Sequence, residues 1–195
     1  MKRAASLPLP ARGFSLIEVL LVLAIVAVVA VASLPSITSL ILGSSLNRAG
    51  QTLAGELSTA RQTAMTKNCE IEVRFYRIAS QWTAVQVWRV DTGDTGDTYS
   101  PLRPVVFLPS GIVMSEPLSP LIGSDSQVNG QATLPSRSTA PYRGFRFRPS
   151  GSTSAAVTGT NNFVTLQEAT AKGSPPANYY TLQVNPLSGS VATYR

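Results

Sequence analysis

The sequence of 195 residues contains no histidine and one cysteine, Cys69. Histidine is the side chain used most often for general acid–base catalysis and is a frequent zinc ligand, so its absence argues against both kinds of site. One cysteine cannot form an intramolecular disulfide, and we expect Cys69 to lie buried or half-buried as a small apolar residue. We predict that the chain is not an enzyme and that it holds no cofactor, with calcium, considered below, as the one exception.

Charged side chains are also scarce, because Asp, Glu, Lys and Arg together make up 13% of the sequence. The formal net charge is +6, but three of the 16 basic residues, Lys2, Arg3 and Arg12, precede the first apolar run. Without them the chain keeps 13 basic and 10 acidic residues, a net charge of +3. So mild an excess of positive charge does not by itself predict a nucleic-acid surface.

The longest apolar run, Phe14 to Leu34, has 21 residues and a single charge, Glu18. As a helix it would be about 31 Å long, which is enough to span the hydrocarbon core of a bilayer. A carboxylate at mid-membrane costs of the order of 2.5–3.5 kcal/mol, and less near one end, so an acid in this run is expected to have a function and a partner. The cations before the run should hold its N-terminal end in the cytoplasm.

A small residue, Gly13, stands where the polar leader meets the apolar run. Cleavage after Gly13 would give Phe14 a free α-amino group, one helical turn from Glu18 or beside the Glu18 of a neighbouring copy. The stretch Gly13-Phe14-Ser15-Leu16-Ile17-Glu18 resembles, without a gap, the prepilin processing motif of type IV pilins and type II secretion pseudopilins. The resemblance implies that a membrane prepilin peptidase cuts after Gly13 and methylates Phe14. It also implies that Glu18 pairs with a neighbouring subunit's N-terminus during filament assembly.

The same resemblance implies partners and a location. The partners would be the prepilin peptidase, other pilins or pseudopilins, the inner-membrane assembly platform and the membrane itself, whereas nucleic acid is not an expected partner. The chain would be a single-pass protein of the bacterial inner membrane, with its N-terminus in the cytoplasm and its head in the periplasm. From there it would join a type IV pilus or a type II secretion pseudopilus.

Two other interpretations of the apolar run stay open. One is a plain single-pass anchor, in which Glu18 has no special role. The other is a secretory signal peptide, because Ala30-Val31-Ala32 before Ser33 resembles a signal-peptidase site. The run is longer than the usual apolar region of a signal peptide and carries a charge near its start, which argues against this alternative. The first residue of the mature protein distinguishes the three: Phe14, Ser33 or Met1.

Beyond Pro35, which predicts a kink and not an end, apolar residues recur at helical spacing. They form one stripe on a helix predicted over residues 44–67, with Asn68 as its stop. The stripe consists of Leu46, Leu53, Leu57, Ala60 and Ala64. Polar residues take the remaining positions: Arg48, Gln51, Glu56, Ser58, Thr59 and Gln62. The simplest prediction is one long, bent helix.

After Cys69 the apolar period becomes twofold, which predicts strands. Residues 70–75 alternate as a half-buried strand, and a short turn leads to a second strand over 82–90 that would complete a hairpin. Asp91 to Ser100 resembles a turn-forming loop, and residues 115–141 resemble a long loop or mobile excursion. Further strand signals lie at 105–108, 112–114, 142–148, 163–166, 179–184 and 191–194. We expect roughly six to eight short strands in one antiparallel sheet.

The predicted fold class is therefore α+β and pilin-like. A long N-terminal helix, transmembrane in its first half and amphipathic in its second half, would pack on an antiparallel β-sheet head. The predicted segments are a leader over residues 1–13, a transmembrane helix over 14–34, a helical extension over 35–68 and the head over 69–195.

Shorter motifs narrow the resemblance. The helix exit from Ala60 to Asn68, Leu108-Pro109-Ser110-Gly111-Ile112 and Phe147-Arg148-Pro149-Ser150-Gly151 resemble the FimT/GspH class of minor pseudopilins. A closer likeness is to the pilin-like family called Verru_Chthon cassette protein D. That likeness rests on Arg74-Phe75-Tyr76-Arg77, on Phe145 to Pro149 and on the tail Tyr180 to Arg195.

A candidate calcium site consists of Asp91, Asp94 and Asp97, because oxygen-rich loops bind calcium and major pseudopilins carry a calcium loop. The acids recur at every third residue, unlike the ligands of an EF-hand, and a solvated turn is the expected alternative. The repeated Asp-Thr-Gly also resembles an aspartic protease motif. We discount that likeness, because the chain is too short for a two-lobed fold that would pair two such carboxylates.

A candidate nucleic-acid surface consists of Arg143, Arg146, Arg148 and Arg195, because one FimT branch serves DNA uptake. Those proteins are thought to use arginines after a C-terminal glycine, whereas here Gly189 is followed by Ser190, Val191 and Ala192, and only Arg195 remains. We expect instead a solvated arginine face over an aromatic core, with Trp82 and Trp88 in the sheet core. The alternative functions are a DNA-binding minor pilin of a competence pilus, or a membrane-anchored or secreted β-domain with another ligand.

Overall fold

A computed structural model of the chain describes residues 13–94, 96–124, 126, 128–135, 138–155 and 162–195, without the side chains of 32–41. One helix, α1, runs Leu16–Lys67, and ten strands follow it within the described residues. The backbone stays helical at Pro35, so the proline does not end the helix. The chain divides into two compact units, Met1–Leu40 and Ile41–Arg195.

In the N-terminal unit, α1 is exposed over its whole described surface. Every residue from Gly13 to Val31 is exposed, including large apolar side chains such as those of Leu20 and Leu23. Within the described residues, no helix contains a stretch that is long and apolar enough to cross a membrane. The segment predicted to do so, 14–34, continues past Val31, the last of these residues with a described side chain.

In the second unit, which we call the head, α1 buries one apolar stripe. The stripe has no exposed surface at Leu46, Ala49, Leu53, Leu57, Ala60 and Ala64. This confirms the predicted stripe and adds Ala49 to it. A Cβ built on Gly50 would lie 2.5 Å from the Tyr180 ring, so glycine permits a close approach of helix and sheet. The helix ends as predicted, because Asn68 adopts a left-handed φ of 48°.

One polar position of this helix, outside the apolar stripe, is nevertheless buried. Glu56 is only 8% exposed. Its Oε1 lies 3.5 Å from Nη2 of Arg103, in a segment that follows the third strand. A helical pattern assigns a polar residue to the solvent side, and it does not show when a distant segment will cover that side.

All strand pairs of the head are antiparallel, which confirms the α+β pilin-like class. The strands are β1 Glu70–Ile78, β2 Gln81–Gly93, β3 Gly96–Pro101, β4 Val106–Phe107, β5 Ile112–Met114, β6 Val128–Thr133, β7 Thr139–Phe147, β8 Phe163–Glu168, β9 Tyr179–Val184 and β10 Val191–Tyr194. The sheet order is β10-β9-β8-β5-β2-β1-β7-β6, and β3 and β4 also pair with β2. The ten strands exceed the number expected.

Strands β1 and β2 form the predicted hairpin, with Ala79 and Ser80 at the turn in left-handed conformations. The prediction that β1 is half-buried was wrong, because both of its faces are covered. The apolar face joins the main core beneath α1. The opposite face is covered by aromatic and charged side chains and by a second small core of Tyr76, Ala84, Leu134 and Ala140.

Two predicted loops contain regular structure. Residues 91–100 were expected to form a turn, yet β2 continues to Gly93 and β3 starts at Gly96, because backbone pairing with a neighbour outweighs the weak strand propensity of Asp and Gly. Residues 115–141 include a short 3₁₀ helix, Pro120–Ile122, together with β6 and the start of β7. Buried side chains hold this segment down: Ser119, Leu121, Ile122 and Leu134.

Candidate functional site

The processing segment, Gly13–Glu18, lies at the beginning of α1. The carbonyl oxygen of Ser15 accepts hydrogen bonds from the backbone N–H groups of Glu18 at 3.0 Å and Val19 at 3.2 Å, which starts the helix. A Cβ built on Gly13 meets no atom within 4 Å. Packing in the described structure therefore does not require glycine at position 13. A requirement for a small residue here would have to come from an external partner.

Glu18 is an acid in the first turn of α1, where the helix dipole favours negative charge. Its side chain is exposed, and none of the ion pairs among the described residues involves it. Phe14, whose amine cleavage would free, is 81% exposed. The segment thus offers a carboxylate and an apolar residue to a partner outside the chain.

The family model described as the prokaryotic N-terminal methylation motif matches residues 10–34. This match supports a type IV pilin-like protein. It implies processing by prepilin peptidase and assembly with other pilins, and it indicates membrane anchoring. The match covers the motif as a whole, so the separate roles of Gly13, Phe14 and Glu18 stay predictions. No curated protein and no solved structure matches the chain.

The head of this pilin-like protein carries a charged cluster on the sheet face opposite α1, centred on Arg146 of β7. Its Nε donates to Oε2 of Glu72 at 2.8 Å, and Nη1 donates to Glu70 at 3.2 Å and to Asp97 at 2.9 Å. Nη2 donates to the hydroxyl oxygen of Tyr99 at 2.8 Å. Although burial lowers the pKa of Arg146, the hydrogen bonds to Glu72 and Asp97 raise this pKa above its ordinary value.

A second cation, Arg74, lies beneath this cluster and is only 5% exposed. It forms an ion pair with Glu72, which is 1% exposed. Its guanidinium carbon lies 4.4 Å from the ring centre of Trp88, 4.8 Å from that of Tyr99 and 4.3 Å from that of Tyr142. Cation–π attraction and the ion pair together compensate the cost of burying Arg74.

The tryptophans occupy two environments. Trp82 is 3% exposed and belongs to the main core, which confirms its predicted place. The same prediction was wrong for Trp88, which is half-buried and forms one wall around Arg74 on the opposite face. Cys69 is half-buried against the main core, as predicted.

The candidate calcium ligands point to different partners. Asp91 pairs with Arg89, Asp97 with Arg146, and Asp94 is exposed at the β2–β3 turn. The hydrogen bond from Arg146, followed by that from Thr92, lowers the pKa of Asp97. Over the described residues, no group of three or more potential ligands could hold a metal ion. Calcium binding by the three aspartates stays a prediction.

The candidate nucleic-acid arginines lie in different environments. Nη1 of Arg143 donates to Oε1 of Glu116 at 2.7 Å and to the carbonyl oxygen of Ile122 at 2.8 Å. The hydrogen bonds that Glu116 accepts, first from Trp82 and then from Arg143, lower the pKa of Glu116. Arg148 and Arg195 are exposed. The prediction of one solvated arginine face was therefore wrong, although the aromatic core beneath it, Phe145 and Phe147, is confirmed.

The charged cluster on the outer face was missed in the sequence. A signal for it exists, because Glu72 and Arg74 alternate in one strand and opposite charges on neighbouring strands pair favourably. Finding it requires the register that places Arg146 opposite Glu72, and that register joins residues 74 positions apart in the chain.

Proposed function

We propose that this chain is a structural subunit without catalytic activity, a pilin or pseudopilin of a type IV pilus or a type II secretion pseudopilus. The observation that carries the proposal is the match of residues 10–34 to the N-terminal methylation motif. The FimT/GspH and Verru_Chthon resemblances of the head agree with a pilin-like subunit. The fold is compatible with this role, because a sheet-bearing head follows a helix whose first part has its apolar side chains exposed.

The proposed mechanism begins in the inner membrane. Residues 14–34 would anchor the processed subunit there, with the head in the periplasm and the cytoplasm on the side of the cleaved leader. Assembly would then pack the apolar side chains of α1 against the same segments of neighbouring subunits, where close van der Waals packing replaces contact with lipid. Glu18 would set the stagger between subunits, because an acid in an apolar bundle is stable only beside a cation.

Processing is tested with Gly13→Leu, and the N-terminal residue of the mature protein is measured by mass spectrometry. We expect wild type to begin at Phe14 and the variant to keep Met1, because a bulky side chain would not fit a cleft shaped for glycine. Gly55→Leu is the matched control, since a Cβ on this helical glycine also meets nothing within 4 Å. A wild-type protein that begins at Met1 or Ser33 would overturn the proposal.

Assembly is tested with Glu18→Ala in cells that make the protein. We expect cleavage after Gly13 to remain and co-purification with sibling pilins to fall at least about tenfold, which corresponds to the loss of one charge pair worth about 1.4 kcal/mol. Asp94→Ala, an exposed acid of the head, is the control. Normal co-purification of Glu18→Ala would remove the proposed role of this carboxylate.

A further inference from the structure

The sheet of the head has free edges of two kinds. Strands β3, β4, β6 and β10 each pair on one side only among the described strands, and β4, with two residues, is too short to serve as an edge for pairing. Free edges expose backbone hydrogen-bonding groups, and proteins usually protect them with charged residues or proline. Edge β3 is protected in this way, since it carries Asp97 and ends at Pro101. Edges β6 and β10 contain neither a charged residue nor a proline.

The backbone groups at the two unprotected edges can be assigned from the adjoining hydrogen bonds. Leu134 N–H donates to the Ser138 carbonyl at 3.0 Å, so alternate residues of β6 point toward β7. The remaining residues, Asn129, Gln131 and Thr133, direct N–H and C=O groups outward. All three of these side chains are exposed.

The same reasoning applies to β10. Asn185 N–H donates to the Ser190 carbonyl at 2.9 Å, and Val184 N–H donates away from β10, to the Asn162 carbonyl, at 2.7 Å. Residue Ala192 therefore faces β9 through its backbone, whereas Val191 and Thr193 direct N–H and C=O groups to the free edge. Each edge thus presents a row of uncharged residues with outward backbone donors and acceptors.

Strand direction decides how two copies could join. The path across the sheet from one edge to the other contains eight strands, in the order β10-β9-β8-β5-β2-β1-β7-β6. Every neighbouring pair on this path is antiparallel. Because eight is even, β10 and β6 run in opposite directions. Two copies set side by side in the same orientation would therefore place β10 of one antiparallel to β6 of the next, which continues the alternation of the sheet.

We propose that β6 of one copy pairs with β10 of a second copy of this chain, so that the sheet continues from head to head. The joint uses two different surfaces, so it repeats from copy to copy and preserves one polarity along an assembly. This inference rests on the proposed function, because a filament of uniform polarity excludes the two-fold alternatives in which β6 pairs with β6 or β10 with β10. Strand addition of this kind takes its affinity from main-chain hydrogen bonds.

The joint is tested by cross-linking the full-length protein in the cells that make it, with Cys69→Ala removing the native thiol. Ala132→Cys and Ala192→Cys introduce thiols at positions of β6 and β10 that would face each other as non-hydrogen-bonded pairs. Side chains approach most closely at such pairs. A short bifunctional thiol reagent then links the two cysteines, so that cross-linking does not require one particular register of the β6–β10 pair.

We expect the double variant to form a ladder of covalent multimers and each single variant to form none. Dimers from either single variant would show a two-fold contact and overturn the inference. Adding Gln131→Lys and Thr193→Lys should reduce the ladder roughly tenfold, because charge protects an edge against pairing. Ser100→Lys on β3 is the matched control and should leave the ladder unchanged.

The outcomes separate this inference from the proposed function. Absence of a ladder, while the protein begins at Phe14 and co-purifies with sibling pilins, overturns the β6–β10 joint alone. A protein that still begins at Met1 overturns the proposed function and this inference with it. Circular dichroism of each variant shows that the head remains folded.

Discussion

The two units of this molecule differ in whether the apolar side chains of their helix are exposed or buried. From Leu16 to Val31 the helix leaves its large apolar side chains exposed, whereas from Leu46 to Ala64 it buries one narrow stripe under the sheet. Within the described residues, only the second stretch is covered by other parts of its own chain. The first stretch has apolar surface for which the described chain provides no cover, which is the physical reason to expect a membrane or neighbouring subunits around it.

The two units also differ in the ion pairing of their carboxylates. In the head, the buried carboxylate of Glu72 pairs with both Arg74 and Arg146. In the N-terminal unit, Glu18 forms no ion pair within the described residues. The buried charges of the head are thus neutralised by residues of the head itself.

The largest expected effect separates the two helix stretches directly. Leu57→Ala should lower the free energy of unfolding of the head by about 2–5 kcal/mol, because it leaves a cavity in the core beneath the helix. Leu23→Ala, at a residue 59% exposed, should change this free energy by less than about 0.5 kcal/mol. The measurement is urea unfolding of the full-length protein in mild detergent. Equal effects of the two substitutions would remove the distinction between the stretches.

A smaller effect tests whether the charges of the head are satisfied internally. Arg146→Met should lower the free energy of unfolding by about 3 kcal/mol, because it leaves Glu72 buried with one cation in place of two. Arg148→Met, at an exposed arginine just beyond the end of β7, should change this free energy by less than about 0.5 kcal/mol. If the two variants unfold at the same urea concentration, the cluster around Arg146 contributes nothing to stability.

The smallest effect concerns pH. The pKa of Asp97 is lower in the folded head than in the unfolded chain, so the folded state binds fewer protons in this range. The stability it contributes is present above the ordinary carboxyl pKa of about 4 and is lost as the pH falls through the lowered value. The Asp97→Asn variant should therefore lose less stability than wild type as the pH falls below about 4. Thermal unfolding at several pH values measures this, with Asp94→Asn, on the same hairpin without contact to Arg146, as the control.

Much of the fold was predictable because its patterns are local. Helical spacing identified the stripe from Leu46 to Ala64, alternation identified β1, and strand-forming residues between turn signals identified β2, β9 and β10. Tight turns such as that of Pro109 to Gly111 were recognisable from their residue types. The processing segment was predictable for the same reason, since Gly13 and Glu18 lie within one short stretch.

The differences between prediction and structure have two physical causes, local pairing and long-range contact. The β2–β3 and β6–β7 hairpins form between neighbouring segments despite residues of weak strand propensity. The burial of Glu56 depends instead on a distant segment, that of Arg103. Arg146 was expected on a solvated face because its strand alternates, and nothing local indicates that Glu72 and Tyr99 lie within reach of it.

The amino-acid sequence alone determined the processing segment, the existence of an exposed apolar helix and the α+β class, because each follows from residue types and spacings within a few turns or strands. Only the tertiary structure decided which charges are neutralised, which strands are edges and in which direction those edges run. These properties arise from pairings between residues far apart in the chain, where register and strand order, and not local propensity, set the outcome.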